Sequence, residues 1–307
     1  MRTLVTGASG FIGSRLLGPL HREGHELRAL ARDPARLRIP PSWGVQVVRG
    51  DVLTGAGLAA ALDGVDVAYY LIHSMEGTDG GSFPERERRA AESFATAAQE
   101  ADITRIVYLG GPRPRSQSAS PHLASRLEVE RILLAAVPAS VALRASIVIG
   151  VRSRSFRFMV RLVERLPVLT LPAWRRYRTQ PIDERDVTAM LLAAAREPAA
   201  AGRSLDIAGP DVLTYGEMMQ RIAELMLLSR PALGLKVNMT PVAARVAAAI
   251  AAEDPELILA LMESLEGDLL GAEDRAAELL GVRLHSFDAA VEHALREWEA
   301  VEPLAAR

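Results

Sequence analysis

The 307-residue chain carries 36 Lys and Arg against 38 Asp and Glu, a formal charge of −2, with 49% hydrophobic and 24% charged residues. That balance is globular and excludes a chain that grips a polyanion by bulk charge, so no nucleic-acid partner is expected. The absence of cysteine removes disulfides and thiolate metal sites. No apolar run reaches the ~18 residues of a membrane-spanning helix and no signal peptide precedes the first strand, so the cytoplasm is the expected location.

The first strand ends at Thr6 after Leu4 and Val5. Glycines follow at Gly7, Gly10 and Gly13, and an apolar helical pattern starts at once with Phe11, Ile12, Leu16, Leu17 and Leu20. Strand, glycine turn and helix in direct succession read as the first βα unit of a dinucleotide-binding fold. A helix start offers unpaired N–H groups and a positive dipole end, which suit a pyrophosphate. Gly7 then takes the turn, Gly10 lets the backbone approach the phosphates, and Gly13 lets the helix pack against its strand. Phe11 and Ile12 contribute backbone N–H groups.

After a helix stop at Gly24, Glu26–Ala31 reads as strand two. Arg32 stands at its end, about 20 residues past the glycines, where an acidic residue would bind a ribose 2′-OH and an arginine suits the 2′-phosphate of NADP(H). The adjacent Asp33 can bind a ribose hydroxyl, which leaves NAD(H) open. Val45–Val48 is strand three, followed by Gly50-Asp51-Val52, and Thr54 is read as the cap of a short helix through Leu62. Val65–Ile72 is nearly continuous apolar, as a central parallel strand requires. It delivers His73 and Ser74 to the carboxyl edge, where ligands bind in such sheets. A glycine-rich loop follows over 76–81.

Next come a helix over Glu85–Glu100, a strand over Ile103–Leu109 ending in Gly110-Gly111, and a loop over Pro112–Pro121. A helix over His122–Val137 and a strand over Val141–Ile149 complete the alternation. It predicts an α/β fold with a doubly wound parallel sheet over residues 1–151. From Arg152 the pattern changes. Helices are expected over Phe156–Leu166, from Asp183 to Arg196, and from a capping box at Thr214–Glu217 to Leu228. Ser204–Ala208 reads as a strand, and polar and Ala-rich helices continue through Glu299. Residues 152–307 are expected to form a smaller, mostly helical cap that returns strands to the sheet.

Over nearly its whole length the chain resembles the atypical and extended short-chain dehydrogenase/reductases, most of all their NmrA-like and complex-I-accessory-subunit-like NAD(P)-binding branch. Thr6–Gly13, TGASGFIG, is similar to the family's TGxxGxxG turn. Gly50-Asp51-Val52 resembles the point where the family's Asp contacts adenine, which implies a cofactor role for Asp51 and Val52. Leu143-Arg144, Gln180-Pro181-Ile182-Asp183 with Asp186-Val187, Gly209-Pro210 with Leu213-Thr214, and Leu280-Gly281-Val282 resemble later landmarks of the extended family, in order.

The active site that the resemblance implies is a Ser and a Tyr-x-x-x-Lys. It needs a tyrosine that exchanges a proton with the substrate oxygen and a lysine that lowers its pKa and holds the ribose. None of the five tyrosines has Lys four residues on, and Lys236 is the only lysine. Gly110 and Gly111 stand at the serine's place, His122 at the tyrosine's and Arg126 at the lysine's.

His122 can supply a proton near neutral pH, with Arg126 one turn on along the same helical face. Arg126 suits ribose hydroxyls or a phosphate and is a poor proton carrier. His73 is a second proton donor candidate, or else a histidine that lines the cleft. His73, His122 and Arg126 are the catalytic candidates, expected to face one cleft. Arg144, Arg154, Arg157, Arg175, Arg176 and Arg178 can line a pocket for an acidic substrate, but the near-neutral balance favours ion pairing. Phe156, Phe158, Met159 and Leu162 suit core or an apolar substrate wall. His21 and His25 have the spacing of a metal pair, but Gly24 ends the helix between them and no acidic third ligand is evident, so no metal is read.

The sequence therefore reads as an NADP(H)-binding protein, with NAD(H) as the alternative cofactor, that moves hydride to or from a small apolar carbonyl, enone or quinone-like substrate. A different class stays open: a non-catalytic redox sensor or assembly subunit whose fold the nucleotide stabilises.

Overall fold

The computed structural model describes residues 1–72, 82–113, 121–235, 258–259, 262, 265, 267–271, 275–302 and 304. In chain order these form β1 (Arg2–Thr6), α1 (Phe11–Arg22), β2 (Glu26–Ala31), β3 (Gln46–Arg49), α2 (Leu58–Leu62), β4 (Val67–Tyr70), α3 (Phe83–Glu100), β5 (Arg105–Gly110), α4 (Pro121–Ala136) and β6 (Val141–Ala145). The second half adds β7 (Val148–Ile149), α5 (Arg154–Arg165), β8 (Leu169–Leu171), β9 (Arg178–Thr179), β10 (Ile182–Asp183), α6 (Glu184–Ala194), β11 (Ser204–Ile207), β12 (Leu213–Thr214), α7 (Tyr215–Leu225), β13 (Ala232–Gly234), α8 (Ala276–Leu279) and α9 (Phe287–Glu299).

Seven strands make one sheet in the order β11-β6-β5-β4-β1-β2-β3, all parallel. Successive residues of a strand face opposite sides, and here both sides are apolar, as a sheet covered on both faces requires. Val5, Tyr69, Val107 and Leu143 enter one core with Leu16 and Leu20 of α1 and Met190 of α6. Their neighbours Leu4, Tyr70, Tyr108 and Ala142 enter the other with Phe94 of α3 and Leu133 of α4. A third core joins α5, α7 and α9 through Phe156, Val163, Met218, Ile222, Val291 and Trp298. The doubly wound parallel sheet is thus as expected, and β11 returns to it from the second half of the chain. The strand order reverses between β1 and β4, which opens a crevice at the carboxyl ends of these strands.

Three local expectations need correction. The expected single strand over Val141–Ile149 is two. After Ala145 the chain leaves the sheet, the Ser146 hydroxyl pairs with that of Thr179 at 2.9 Å, and β7 pairs with β10 instead. Thr54 does not cap the following helix: Gly57 does, and the Thr54 hydroxyl instead accepts from Ala56 N–H within the turn. The helix after the second capping box stops at Leu225 rather than Leu228. The second half also contains β7–β10, β9–β12 and β8–β13 pairs beside its helices. The loop over 76–81, Lys236 and the Ala-rich stretch 243–252 lie outside the described residues.

The late landmarks act as ties. Asp186 accepts the backbone N–H of His285 at 2.8 Å, and Asp211 accepts that of Phe287 at 2.7 Å, which anchors the start of α9. Asp183 caps α6 by accepting from Arg185 N–H. Arg144 is held in a fork by Glu130, at 2.9 and 2.6 Å, and reaches Asp206 at 3.5 Å. It therefore joins α4, β6 and β11 rather than lining a substrate pocket. Removing one partner of such a largely buried network strands the others' charge. Urea unfolding of Arg144→Ala is expected to show a loss of about 3 kcal/mol in stability.

Candidate cofactor and substrate cleft

The turn between β1 and α1 is set by two backbone approaches. Gly7 has φ +67°, and a Cβ there would lie 2.6 Å from the Leu71 carbonyl oxygen at the end of β4. A Cβ on Gly13 would run into the Gly7 carbonyl oxygen. Helix α1 therefore starts pressed against its own strand, with its N-terminus at the crevice. Gly10 is its N-cap, no side chain caps it, and its first turn holds no acidic residue. The first intrahelical bond runs from Ser14 N–H to the Gly10 carbonyl at 3.1 Å, so the N–H groups of Phe11, Ile12 and Gly13 precede the helix ladder. This is an anion-binding end.

From this turn a cavity of about 430 Å³ lies far off, beside Trp43, whereas one of about 890 Å³ includes the turn itself. Gly7, Gly10, Phe11, Ile12, Arg32, Asp51 and Val52 all line the larger cavity. Gly13 does not; it acts through the packing just described. On the β5 and α4 side the wall includes Gly110, Gly111, His122 and Arg126. Of the three residues expected to share a cleft, His122 and Arg126 therefore meet on this wall, and His73 lies outside the described residues.

Among the described residues the lining contains six arginines, at 32, 36, 86, 126, 152 and 154, and one carboxylate, Asp51. That scarcity of carboxylates beside the arginines leaves the described lining positive, which fits a ligand with several phosphates. Arg32 and Arg36 sit together after β2. Asp33 does not line the cavity; its carboxylate accepts from Ala35 N–H at 3.1 Å and caps a short 3-10 turn. Asp51 holds its own loop by accepting from Leu53 N–H at 2.9 Å.

Arg152 escaped the sequence reading as a site residue. It donates to the Ser14 hydroxyl at 2.7 Å and to the Ser9 carbonyl at 3.3 Å, and so spans the glycine turn from the start of the second half. No local motif marks it, because its role depends on where β7 directs the chain. Among the other expected arginines, only Arg154 reaches the cavity. Arg157 stacks over Trp298, Arg176 over Tyr177, and Arg178 pairs with Asp268.

Arg126 is 2% exposed. Its nearest carboxylate is Glu87, with Nε 3.7 Å from Oε2, and none of its three guanidinium nitrogens has a hydrogen-bond partner among the described residues. Burial pushes its pKa down to about 9, against the opposing pull of Tyr70. A buried guanidinium without hydrogen bonds is costly, so a ligand that brings acceptors to this wall completes it. His122 is half-buried, stacks on Phe83 with ring centroids 5.6 Å apart, and burial draws its pKa below 6.5.

A family model described as NAD(P)H-binding matches residues 7–148. The chain is 29% identical over 301 residues to (4-alkanoyl-5-oxo-2,5-dihydrofuran-3-yl)methyl phosphate reductase of Streptomyces griseus, covering 95% of this chain and 97% of that one. It is 28% identical over 226 residues to ceramide reductase of Caulobacter vibrioides, covering 72% and 69%. UDP-glucuronic acid 4-epimerase from Bacillus cereus, solved with UDP-glucuronic acid and NAD, shares the fold at a TM-score of 0.72 and 18% identity, covering 98% of this chain and 100% of that one.

Behind the glycine turn sits Glu184. A Cβ on Gly150 would meet both its carboxylate and the ring of Phe11. Arg15 of α1 lies 3.1 Å from Glu184 and also pairs with Glu297. Glu184, His293 and Glu297 place ligand atoms within 4.8 Å of one another, but the Arg15 guanidinium already supplies the cation between the two carboxylates. Burial is the main cause that pushes the Glu184 pKa up to about 7, with Arg15 opposing and Glu297 and Asp183 adding. The folded state therefore holds a proton here that the unfolded chain releases near the ordinary value of 4.5, and this contribution to stability is lost as pH rises to about 7. Glu184→Gln is expected to melt progressively higher relative to the parent as the buffer moves from pH 5 to pH 8, measured by thermal denaturation at both.

Proposed function

We propose that this chain is an NADP(H)-preferring reductase of an apolar carbonyl, enone or quinone-like substrate. The observation that carries this reading is one continuous cavity: it begins at the anion-binding turn, passes His122 and Arg126, and ends among apolar side chains of the second half. A nucleotide held only for structure needs no such space beyond it. The reductase names of two relatives support the same class.

In this reading the backbone of Gly7, Gly10, Phe11 and Ile12 holds the pyrophosphate, with Gly13 keeping α1 in place. Arg152 swings from Ser9 and Ser14 onto the same phosphates. Arg32 and Arg36 hold the 2′-phosphate, and Asp51 and Val52 border the adenine. When bound, NADP(H) supplies the hydride. Arg126 takes ribose hydroxyls as acceptors for its unpaired N–H groups and orients that end of the cofactor. His122 gives the proton to the substrate oxygen, as tyrosine does in the family this chain resembles. Residues 152–307 supply the substrate side of the cleft.

Thermal shift with NADPH, NADP, NADH and NAD, followed by NADPH oxidation with a carbonyl and quinone panel, tests the whole reading. Binding without turnover across that panel would favour the sensor or assembly role. The parent is expected to bind NADPH at least about tenfold more tightly than NADH, and Arg32→Ala to remove that preference, since a hydrogen bond to a charged group contributes roughly 1.5–3 kcal/mol. Equal affinities in the parent would overturn the NADP(H) assignment. Arg152→Ala is expected to weaken both cofactors by a similar factor, because both carry the pyrophosphate.

The protonated imidazole of His122 is the donor, so kcat/KM for reduction is expected to fall as pH rises through its lowered pKa. His122→Phe is expected to flatten that limb and to slow reduction by roughly 10²- to 10⁴-fold. A pH–rate profile unchanged in the variant would remove His122 from the mechanism.

A further inference from the structure

We infer that the substrate is a ketone with an extended apolar chain, and that the chain lies between Phe158, Met159, Leu162, Met219 and Met262. This rests on the reading of the cleft as a nicotinamide-dependent reductase site.

The cavity is divided by chemistry. Among the described lining residues every charged one precedes Ser155, whereas from Phe158 onward none is Asp, Glu, Lys, Arg or His. The coenzyme end therefore meets phosphate, and the far end is mostly hydrocarbon, with the Trp174 indole N–H and the Tyr215 hydroxyl as polar points on it. The far wall is drawn from α5, α7 and Met262, and these side chains belong to the third core rather than to either face of the sheet. Phe158, Met159 and Leu162 follow one face of α5, in contact with the face of α7 that carries Met219.

Three of these five side chains are methionines. Their unbranched, polarizable thioethers change rotamer at little cost and fill irregular space. A wall of this kind adapts to a flexible chain, whereas a rigid sugar or nucleotide needs fixed polar groups. Trp174 closes the wall beside Tyr215, edge-on at 6.1 Å between centroids, and gives an intrinsic fluorescent reporter there.

Isothermal titration of the NADP-loaded parent with 2-alkanones from 2-pentanone to 2-undecanone is expected to show Kd falling about 30-fold across the series, a fraction of the full transfer of six methylenes from water. Quenching or enhancement of tryptophan emission should track the same binding and be lost in Trp174→Phe. Met219→Arg puts a charge on this wall and is expected to abolish the length dependence. Met262→Trp fills the wall without charge and is expected to move the preference to shorter chains. NADP affinity checks the fold of both variants.

A parent Kd that does not change with chain length overturns the inference, and so does a length dependence that both variants leave intact. Alkanones that bind with the expected length dependence but are never reduced by the NADPH-loaded protein overturn the reductase reading and leave the chain-binding wall standing.

Discussion

The structure depends on how closely α1 can approach β1. The Gly7 carbonyl lies where a side chain on residue 13 would have to be, and Leu71 of the neighbouring strand end lies against Gly7 itself. These contacts hold three consecutive N–H groups at the point where the sheet order reverses. Without them the helix would stand off the sheet, Phe11 would lose its place against Gly150 and Glu184, and the crevice would lose its anion-binding floor. One tight turn thus couples the packing of a core to the position of a ligand.

Much of the fold is legible in the sequence because parallel sheets and glycine turns write themselves locally. The apolar run Val65–Ile72, the alternation of strand and helix, and the TGASGFIG turn each follow from nearest neighbours along the chain. Arg32 and Asp51 can be placed because strand ends fix where the next residues emerge. What the sequence hides is set by distant partners. The break after Ala145 arises because Val148 and Ile149 find β10 instead of the main sheet. Arg152 gains its position from that same break. The Arg144 fork needs Glu130 and Asp206, which stand 14 residues before it and 62 after it, so its spacing resembles that of any surface arginine. The short strand pairs of the second half, two or three residues long, fall below what alternation can reveal.

The cleft also shows how little total charge says about a site. A formal charge of −2 argues against bulk attraction of polyanions, and that inference holds for the surface as a whole. Among the described residues that line the cavity the ratio is six arginines to one carboxylate. The acidic residues serve elsewhere, in caps, in forks such as Glu130 with Arg144, and in the anchoring of α9 by Asp186 and Asp211. Desolvation then shapes what the remaining groups can do: it lowers His122 and Arg126 and raises Glu184.

Strand β11 forms the outer edge of the sheet, yet it is made from residues 204–207, more than fifty positions after its partner β6. During synthesis β6 leaves the ribosome with its hydrogen-bonding edge bare and stays so while α5, α6 and the intervening segments emerge. A ribosome stalled anywhere in that interval would display an open β-edge able to recruit a neighbouring nascent chain. For a polypeptide of this layout, the tempo of translation across the middle third bears directly on how much of it escapes aggregation.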